Sequence, residues 1–312
     1  MKVSVIIPLY NGEKYIRQTL ESVCAQTYEK MEVIVVNDGC TDASLSLLLD
    51  YRDRIRIINQ ENSGVSSARN RGVREAEGEL VALLDQDDIW YKHKVGEQVE
   101  VFISHPDVSF VYSDIDVIDD AGNVTARKAS ESWSLDSDWI RPLIKGGFHP
   151  FPSTVMMRRD LFLEQGGFST DFIGNIHEDV EFFARLCRTT DFYFIEEPLV
   201  QYRFVLDKWR ERHSGESDLA FHNTVILYNK LMDMYGTDRT MRKHIKGVLK
   251  RGRRIEARRQ GKIGIRLAVR GDAKGARSHL RNAWRQYKGG RELTRYLRGS
   301  LPRAFHKYVF KE

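Results

Sequence analysis

The sequence predicts an α/β fold, a mostly parallel central sheet flanked by helices, followed by a basic helical region. Three observations carry this. Apolar runs of β type alternate with helical patterns over the first ninety or so residues. Those runs are continuous rather than alternating, as in strands covered on both faces. Charge also divides the chain: residues 1–220 hold 24 Lys+Arg against 38 Asp+Glu, and residues 221–312 hold 25 against 6. Net charges of −14 and +19 thus lie beneath the overall +5, the pattern of a basic appendage on an acidic body.

Val3–Tyr10 is the first strand, after which Asn11 offers a helix cap and Ile16, Leu20 and Val23 recur at helical spacing. Met31–Val36 is the second strand, ending in Asn37-Asp38-Gly39, and a helix through Leu45–Tyr51 follows. Ile55–Asn59 is the third. Ser63-Gly64 opens a helix through Glu77 that turns Ala68, Gly72, Val73 and Ala76 inward, and Leu80–Leu84 is the fourth strand. Open parallel sheets bind ligands at the carboxyl ends of their strands. Beyond them the spacing predicts short strands at Val108–Ser113, Val117–Asp119 and Ser153–Met157, with a turn at Asp120–Asn123. A helical turn at Asp160–Gln165 stops at Gly166-Gly167, and an amphipathic helix at Asp179–Arg188 precedes strands at Phe192–Ile195 and Val200–Phe204. From about Ser217 the pattern is helical, with breaks expected at Gly271, Gly275, Gly289-Gly290 and Pro302.

Several classes are excluded or disfavoured. No apolar run is long enough for a transmembrane helix, and the start lacks a signal peptide's cleavage pattern. Cys24, Cys40 and Cys187 are scattered, without metal-ligand spacing, as expected of free thiols in a reducing compartment. Neither GxGxxG nor GxxxxGK[ST] is present, against a dinucleotide fold or a P-loop.

The chemistry is expected where the strands end. Asp85-Gln86-Asp87-Asp88 closes the fourth, and its three carboxylates repel one another unless a cation neutralises them. Mg²⁺ characteristically shares one or two carboxylates with substrate phosphates; the bland alternative is a solvated acidic loop. Asp38 could accept from a base or ribose, Gly39 permits a tight turn, and an Asx turn capping the next helix is the alternative. Tyr10, after Pro8 and before Asn11-Gly12, could stack on a base or be structural. Ser63–Asn70 starts a helix whose free N–H groups, with Arg69, suit the anionic part of a nucleotide. Glu178-Asp179 opens a helix and offers a carboxylate to take a proton from an attacking hydroxyl, though acids at a helix start are also ordinary dipole partners.

In this order VSVIIPLYN, EVIVVNDGCTD, NSGVSSARN, LLDQDD and HEDVEF resemble the family 2 glycosyltransferases, of Rossmann-like GT-A fold. The resemblance covers Lys2–Arg203 and extends to Val111–Asp114, Ser153-Thr154 and Gly166–Phe168. It implies inverting transfer of a sugar from a nucleoside diphosphate, UDP foremost, to an acceptor hydroxyl of a bacterial surface polysaccharide or lipopolysaccharide. It also implies Pro8, Tyr10, Asn11, Glu13, Asp38, Gly39, Arg69, Asp85 and Gln86 around the donor. Asp87 would hold Mn²⁺ or Mg²⁺, and Asp179 would be the general base. Glu178, Asp114, Trp139, His149, Arg203 and His213 are candidates near the donor sugar or acceptor. Asn37 and Cys40 stand where relatives often have Asp and Ser. The QxxRW segment of processive members is absent, which favours single addition.

The expected division is a catalytic domain over 1–216, with a nucleotide-binding half to about 105 and an acceptor half from about 106, and a basic helical region over 217–312. Lys250–Arg254 and Arg258-Arg259, with Trp284, Tyr287, Tyr296, Phe305, Tyr308 and Phe310 interleaved farther on, favour an anionic membrane surface over nucleic acid. A solvated basic bundle packed on the acidic body is the bland alternative. The chain is therefore expected to be cytoplasmic and peripheral to the inner face of the plasma membrane, serving a glycan or lipid-linked acceptor. A homo-oligomer is left open. The rivals are a nucleotidyltransferase, which lacks support in the absence of a Gly-rich phosphate loop, and a sugar-nucleotide-binding protein without catalysis.

Overall fold

The computed structural model describes residues 1–128, 150–174, 176–206, 218–270 and 272–286. The chain divides into two compact units, Met1–Glu211 and Arg212–Glu312.

The first unit opens with β1 (Val3–Leu9), α1 (Ile16–Cys24), β2 (Met31–Asp38), α2 (Ser44–Leu48), β3 (Arg56–Gln60), α3 (Val65–Glu75) and β4 (Leu80–Leu83). β1 pairs in parallel with both β2 and β4, and β3 extends β2 in parallel, so the first four strands form the open parallel sheet the sequence predicts. Beyond β4 the sheet turns mixed. β5 (Ile89–Trp90), β6 (Phe110–Ile118), β7 (Val124–Ala126), β8 (Met156–Arg158) and β9 (Phe192–Arg203) complete the order β3-β2-β1-β4-β8-β6-β9-β5, with β7 on β6. β8 runs antiparallel between β4 and β6, whereas β6 and β9 are parallel. The helices here are α4 (Lys94–Ser104), α5 (Arg159–Glu164) and α6 (Glu178–Leu186).

Period-two alternation along buried strands makes two cores. Val5, Ile7, Leu9, Val33 and Val35 face one side, where Ile16, Leu20 and Val23 of α1 and Val95, Val99 and Phe102 of α4 cover them. Ile6, Ile34 and Val36 face the other, under Ala68 and Val73 of α3 and Phe182 and Phe183 of α6. Gly72 lets α3 settle closely: a Cβ there would come 2.4 Å from Ile6 Cγ2.

Several boundaries differ from expectation. α1 begins at Ile16 with Tyr15 before it, so Asn11 is no helix cap; it takes a left-handed φ of 48° and bonds elsewhere. The two strands expected at Val108–Ser113 and Val117–Asp119 are one, β6, and those at Phe192–Ile195 and Val200–Phe204 are one, β9. The interruption that reads as a gap is a register shift around Asp114, where Pro198 lies opposite. Ser153 belongs to a 3₁₀ turn, Pro152–Thr154, and not to the following strand.

The second unit holds α7 (Asp218–Tyr235), α8 (Arg239–Val269) and α9 (Ala273–Gln286). Asp238 caps α8 by accepting from the Met241 N–H at 2.8 Å. Gly275 does not break the chain but lies in the first turn of α9, its N–H bonded to Asp272 Oδ1 at 2.9 Å. Gly271, Gly289-Gly290 and Pro302 lie outside the described residues. No helix among the described residues is long and apolar enough to cross a membrane.

Candidate active site

The carboxyl ends of β1, β2 and β4 meet the start of α6 and the end of β9. The loops after β1 and β2 are laced together. Asn11 Oδ1 accepts from the Thr41 N–H at 2.8 Å, Glu13 Oε2 accepts from Ala43 N–H at 2.8 Å, and the Glu13 N–H donates to Asp42 Oδ2 at 3.1 Å. Gln86 grips the main chain of Tyr10 from the acidic loop, accepting from its N–H at 2.8 Å and donating to its carbonyl at 3.1 Å. The Tyr10 side chain is left exposed. Pro8 is buried inside β1, just beyond the β4 ladder that ends at Ile6 and Leu83, where it shapes the strand end.

Asp38 is buried and caps the chain entering α3, not the helix that follows it in sequence. Its Oδ1 accepts from Gln60 Nε2 and the Ser63 N–H, and its Oδ2 from the Gly64 N–H, all within 2.9 Å. Gly39, at φ +77°, passes close to Asn62, where a Cβ would lie 2.9 Å from the backbone nitrogen.

Arg69 stands at the centre. It is buried over the Phe168 ring at 5.0 Å, Nη2 donates to Asp85 Oδ1 at 2.6 Å, and Nη1 donates to Glu178 Oε1 at 3.4 Å. Its guanidinium is thus turned onto two carboxylates of the chain. Arg69 Nε and Glu178 Oε2 are buried with no protein partner. Burial, and then the neighbouring Asp179 charge, push the Glu178 carboxyl up to about 7. Asp179 is half-buried, and its Oδ1 accepts the Val180 N–H at 2.7 Å.

The three aspartates of the acidic loop divide their work. Asp85 pairs with Arg69, and its N–H donates to Ser153 Oγ at 3.0 Å. Asp87 is half-buried. Asp88 points inward: Oδ2 accepts from Ser153 Oγ at 2.5 Å and Oδ1 from the Arg203 N–H at 2.8 Å. Burial, then Asp87 and Asp85, push the Asp88 carboxyl well up. Its place among possible cation ligands is thereby withdrawn. Arg203 acts as a clamp on this loop. It is buried, donating from Nε to the Asp87 carbonyl at 2.8 Å, from Nη1 to the Asp119 and Asp120 carbonyls, and from Nη2 to Gln18 Oε1 at 2.7 Å. Asp114 is buried at the register shift of β6, accepting the Ile115 N–H at 2.6 Å.

Among the described residues no three His, Cys, Asp or Glu side chains are grouped to hold a metal ion. The chemistry of the loop still fits a hard divalent cation shared with a ligand's phosphates, because Asp85 and Asp87 place two carboxylates, neither fully buried, after β4. Tyr202, stacked on Phe151 at 4.4 Å, senses the same field. Burial raises its hydroxyl pKa, as do Asp88, Asp87, Asp85 and Asp179, so the acidic loop and the start of α6 converge on one place. Neither Tyr202 nor the Ser153 hydroxyl is among the site residues expected from the sequence. Trp139, His149 and His213 lie outside the described residues.

Residues 4–165 match the family model described as Glycosyl transferase family 2. The chain belongs to that family. Over 229 residues this family 2 chain is 31% identical to an uncharacterized glycosyltransferase of Rickettsia felis, spanning 71% of the chain and 36% of that relative, so it covers about a third of the relative's length. Its fold is that of Staphylococcus aureus TarS, residues 1–349 in complex with UDP-GlcNAc, at a TM-score of 0.60, 18% identity and 92% coverage of each chain. The mannosyltransferase PcManGT of Pyrobaculum calidifontis, in complex with GDP-Man and Mn²⁺, matches at a TM-score of 0.53 and 19% identity, covering 99% of this chain and 83% of that one. These structural likenesses establish a GT-A-type α/β fold.

Proposed function

We propose that this family 2 chain transfers a sugar from a nucleoside diphosphate, UDP foremost, to an acceptor hydroxyl with inversion, in building a surface glycan on a glycan or lipid-linked acceptor. The observation that carries the reading is the buried Arg69 bridge, which ties Asp85 of the donor loop to Glu178 at the head of α6 and so sets the donor side beside Asp179. The UDP-GlcNAc complex of TarS and the Mn²⁺ complex of PcManGT support the donor class and the metal.

In this reading Tyr10 stacks on the nucleoside, and Asp38 holds the loop that receives it while offering its remaining lone pairs to the base edge. Asn11, Glu13 and Gln86 keep the two loops in register around it. Asp85 faces ribose and donor sugar, and Asp87 holds Mn²⁺ or Mg²⁺ with the diphosphate. The cation, when bound, supplies neutralisation of the charge on the departing diphosphate. The Asp179 carboxylate takes the acceptor's proton as that oxygen bonds the anomeric carbon and the bond to the diphosphate breaks. A single direct displacement inverts the centre. Glu178 orients hydroxyls beside it. The catalytic domain is taken as 1–216, and the basic region 217–312 as a peripheral attachment to the inner face of an anionic membrane.

The test is a donor panel of UDP-, GDP- and dTDP-sugars with Mn²⁺ or EDTA, detecting released nucleoside diphosphate. One donor should be turned over, with release abolished by EDTA and in Asp87→Ala. Asp179→Asn should still show a thermal shift with UDP and Mn²⁺ while transferring about 10²–10⁴-fold more slowly. No release and no thermal shift with any nucleotide would overturn the reading in favour of a protein without this chemistry.

A further inference from the structure

Lys94 opens α4 and is wholly buried, at 0% exposure. Its Nζ donates to Gln98 Oε1 at 2.5 Å and lies 3.9 Å from the Trp90 ring centroid. Among the described residues it forms no ion pair. Burial lowers its pKa well below the usual lysine range. A buried amine facing one neutral amide and one aromatic face is costly to desolvate, charged or neutral, and an apolar side chain of the same length would fill the space at least as well. Stability therefore gives no account of a lysine here.

Hydrogen-bond valence does. Lys94 Nζ donates to the Gln98 oxygen, and the Gln98 NH₂ therefore faces the other way. That NH₂ donates to the Thr154 carbonyl at 2.7 Å. Trp90, under the Lys94 Nζ, donates from Nε1 to the neighbouring Ser153 carbonyl at 2.9 Å. Both carbonyls belong to the Pro152–Thr154 turn. From that turn, the Ser153 hydroxyl donates to Asp88 and accepts from the Asp85 N–H. Without that donor the Gln98 oxygen is buried without a partner, and the amide is held only from its Thr154 side.

We propose that Lys94 is a positioning residue for the acidic loop. Through Gln98 and Trp90 it fixes the Pro152–Thr154 turn, and through Ser153 that turn brackets Asp85 and Asp88 on either side of Asp87. The effect on turnover rests on the functional reading above; the effect on the loop does not.

The experiment is Lys94→Met in the full chain, followed by amide hydrogen exchange and thermal melting. Exchange across residues 85–90 should rise about tenfold, as for the loss of a hydrogen bond to a charged group. The melting midpoint should stay level or rise, because the desolvated amine is gone. With the donor identified, kcat should fall by a comparable factor while donor KM moves less. Unchanged exchange over 85–90 overturns the proposal. So does faster exchange spread through the parallel strands together with a lower midpoint, which is what a packing role would give. Gln98→Glu provides an independent variant, retaining a partner for Lys94 but no donor for the Thr154 carbonyl. The same loosening of 85–90 is expected, and wild-type exchange there overturns the relay even if Lys94→Met fails to fold. Loosened exchange in a protein that turns over no donor would uphold the positioning role and sink the functional reading instead.

Discussion

Glu178 and Asp179 carry the same group one residue apart in different surroundings. Glu178 is 5% exposed, with one oxygen on Arg69 and the other without a protein partner, whereas Asp179 is half-buried at the rim. With the Glu178 carboxyl pushed from 4.5 to about 7, the folded protein holds a proton there that the unfolded chain releases near pH 4.5. The sign follows: between those values the native state binds more protons, so stability falls as pH rises, and the contribution is fully present only below the unfolded value. Glu178→Gln should therefore gain in melting midpoint relative to wild type as pH rises from about 5 to 8. A difference that stays flat or narrows over that series would show that Arg69 keeps Glu178 ionised throughout. Residue types and order were legible in the sequence, since DQDD and HEDV stand where strands and helix meet. The division of roles was not. Asp38 meets its partners 22 to 26 residues away, and Arg203 reaches Asp87 across 116. A motif names a carboxylate, but which partners occupy its lone pairs depends on chain brought back from afar.

At the scale of elements, the parallel half was read well because each strand is a continuous apolar run and each helix repeats at its own period. The second half was read as fragments. β6 and β9 each looked like two strands because Asp114 and Pro198 interrupt the apolar run, and a register shift absorbs both without ending the ladder. Gly72 is a comparable case. Within α3 it weakens helix propensity, yet the position faces Ile6 and Val36 with no room for a methyl group. Gly72→Ala should thus destabilise by about 1–3 kcal/mol through overpacking, outweighing a helix-propensity gain of about 1 kcal/mol. Urea unfolding decides it. A midpoint raised by the substitution would show that α3 can move off β1 at little cost.

Across the whole molecule the dominant feature is the separation of charge. Arg242, Lys246, Lys250 and Arg253 are all exposed on α8, and their spacing sets them along one face. Each cation near an anionic leaflet contributes about 1 kcal/mol, screened within about 8 Å at physiological salt. Flotation with vesicles containing anionic lipid should be strong at low salt, weaken as salt rises, and be lost when these four are changed to Glu. Equal flotation on neutral vesicles would rule out an electrostatic attachment. The Arg203 clamp, finally, bears on the order in which the protein is made. The loop 85–88 leaves the ribosome with β4, but the side chain that grips it follows 116 residues later, at the very end of β9. A nascent chain halted after α6 can pair its parallel strands and bury much of both cores, yet it lacks every contact that Arg203 makes with this loop. Competence to bind a donor is thus expected to lag behind compaction during synthesis, arriving in a single late step as the last strand slides in beside β6.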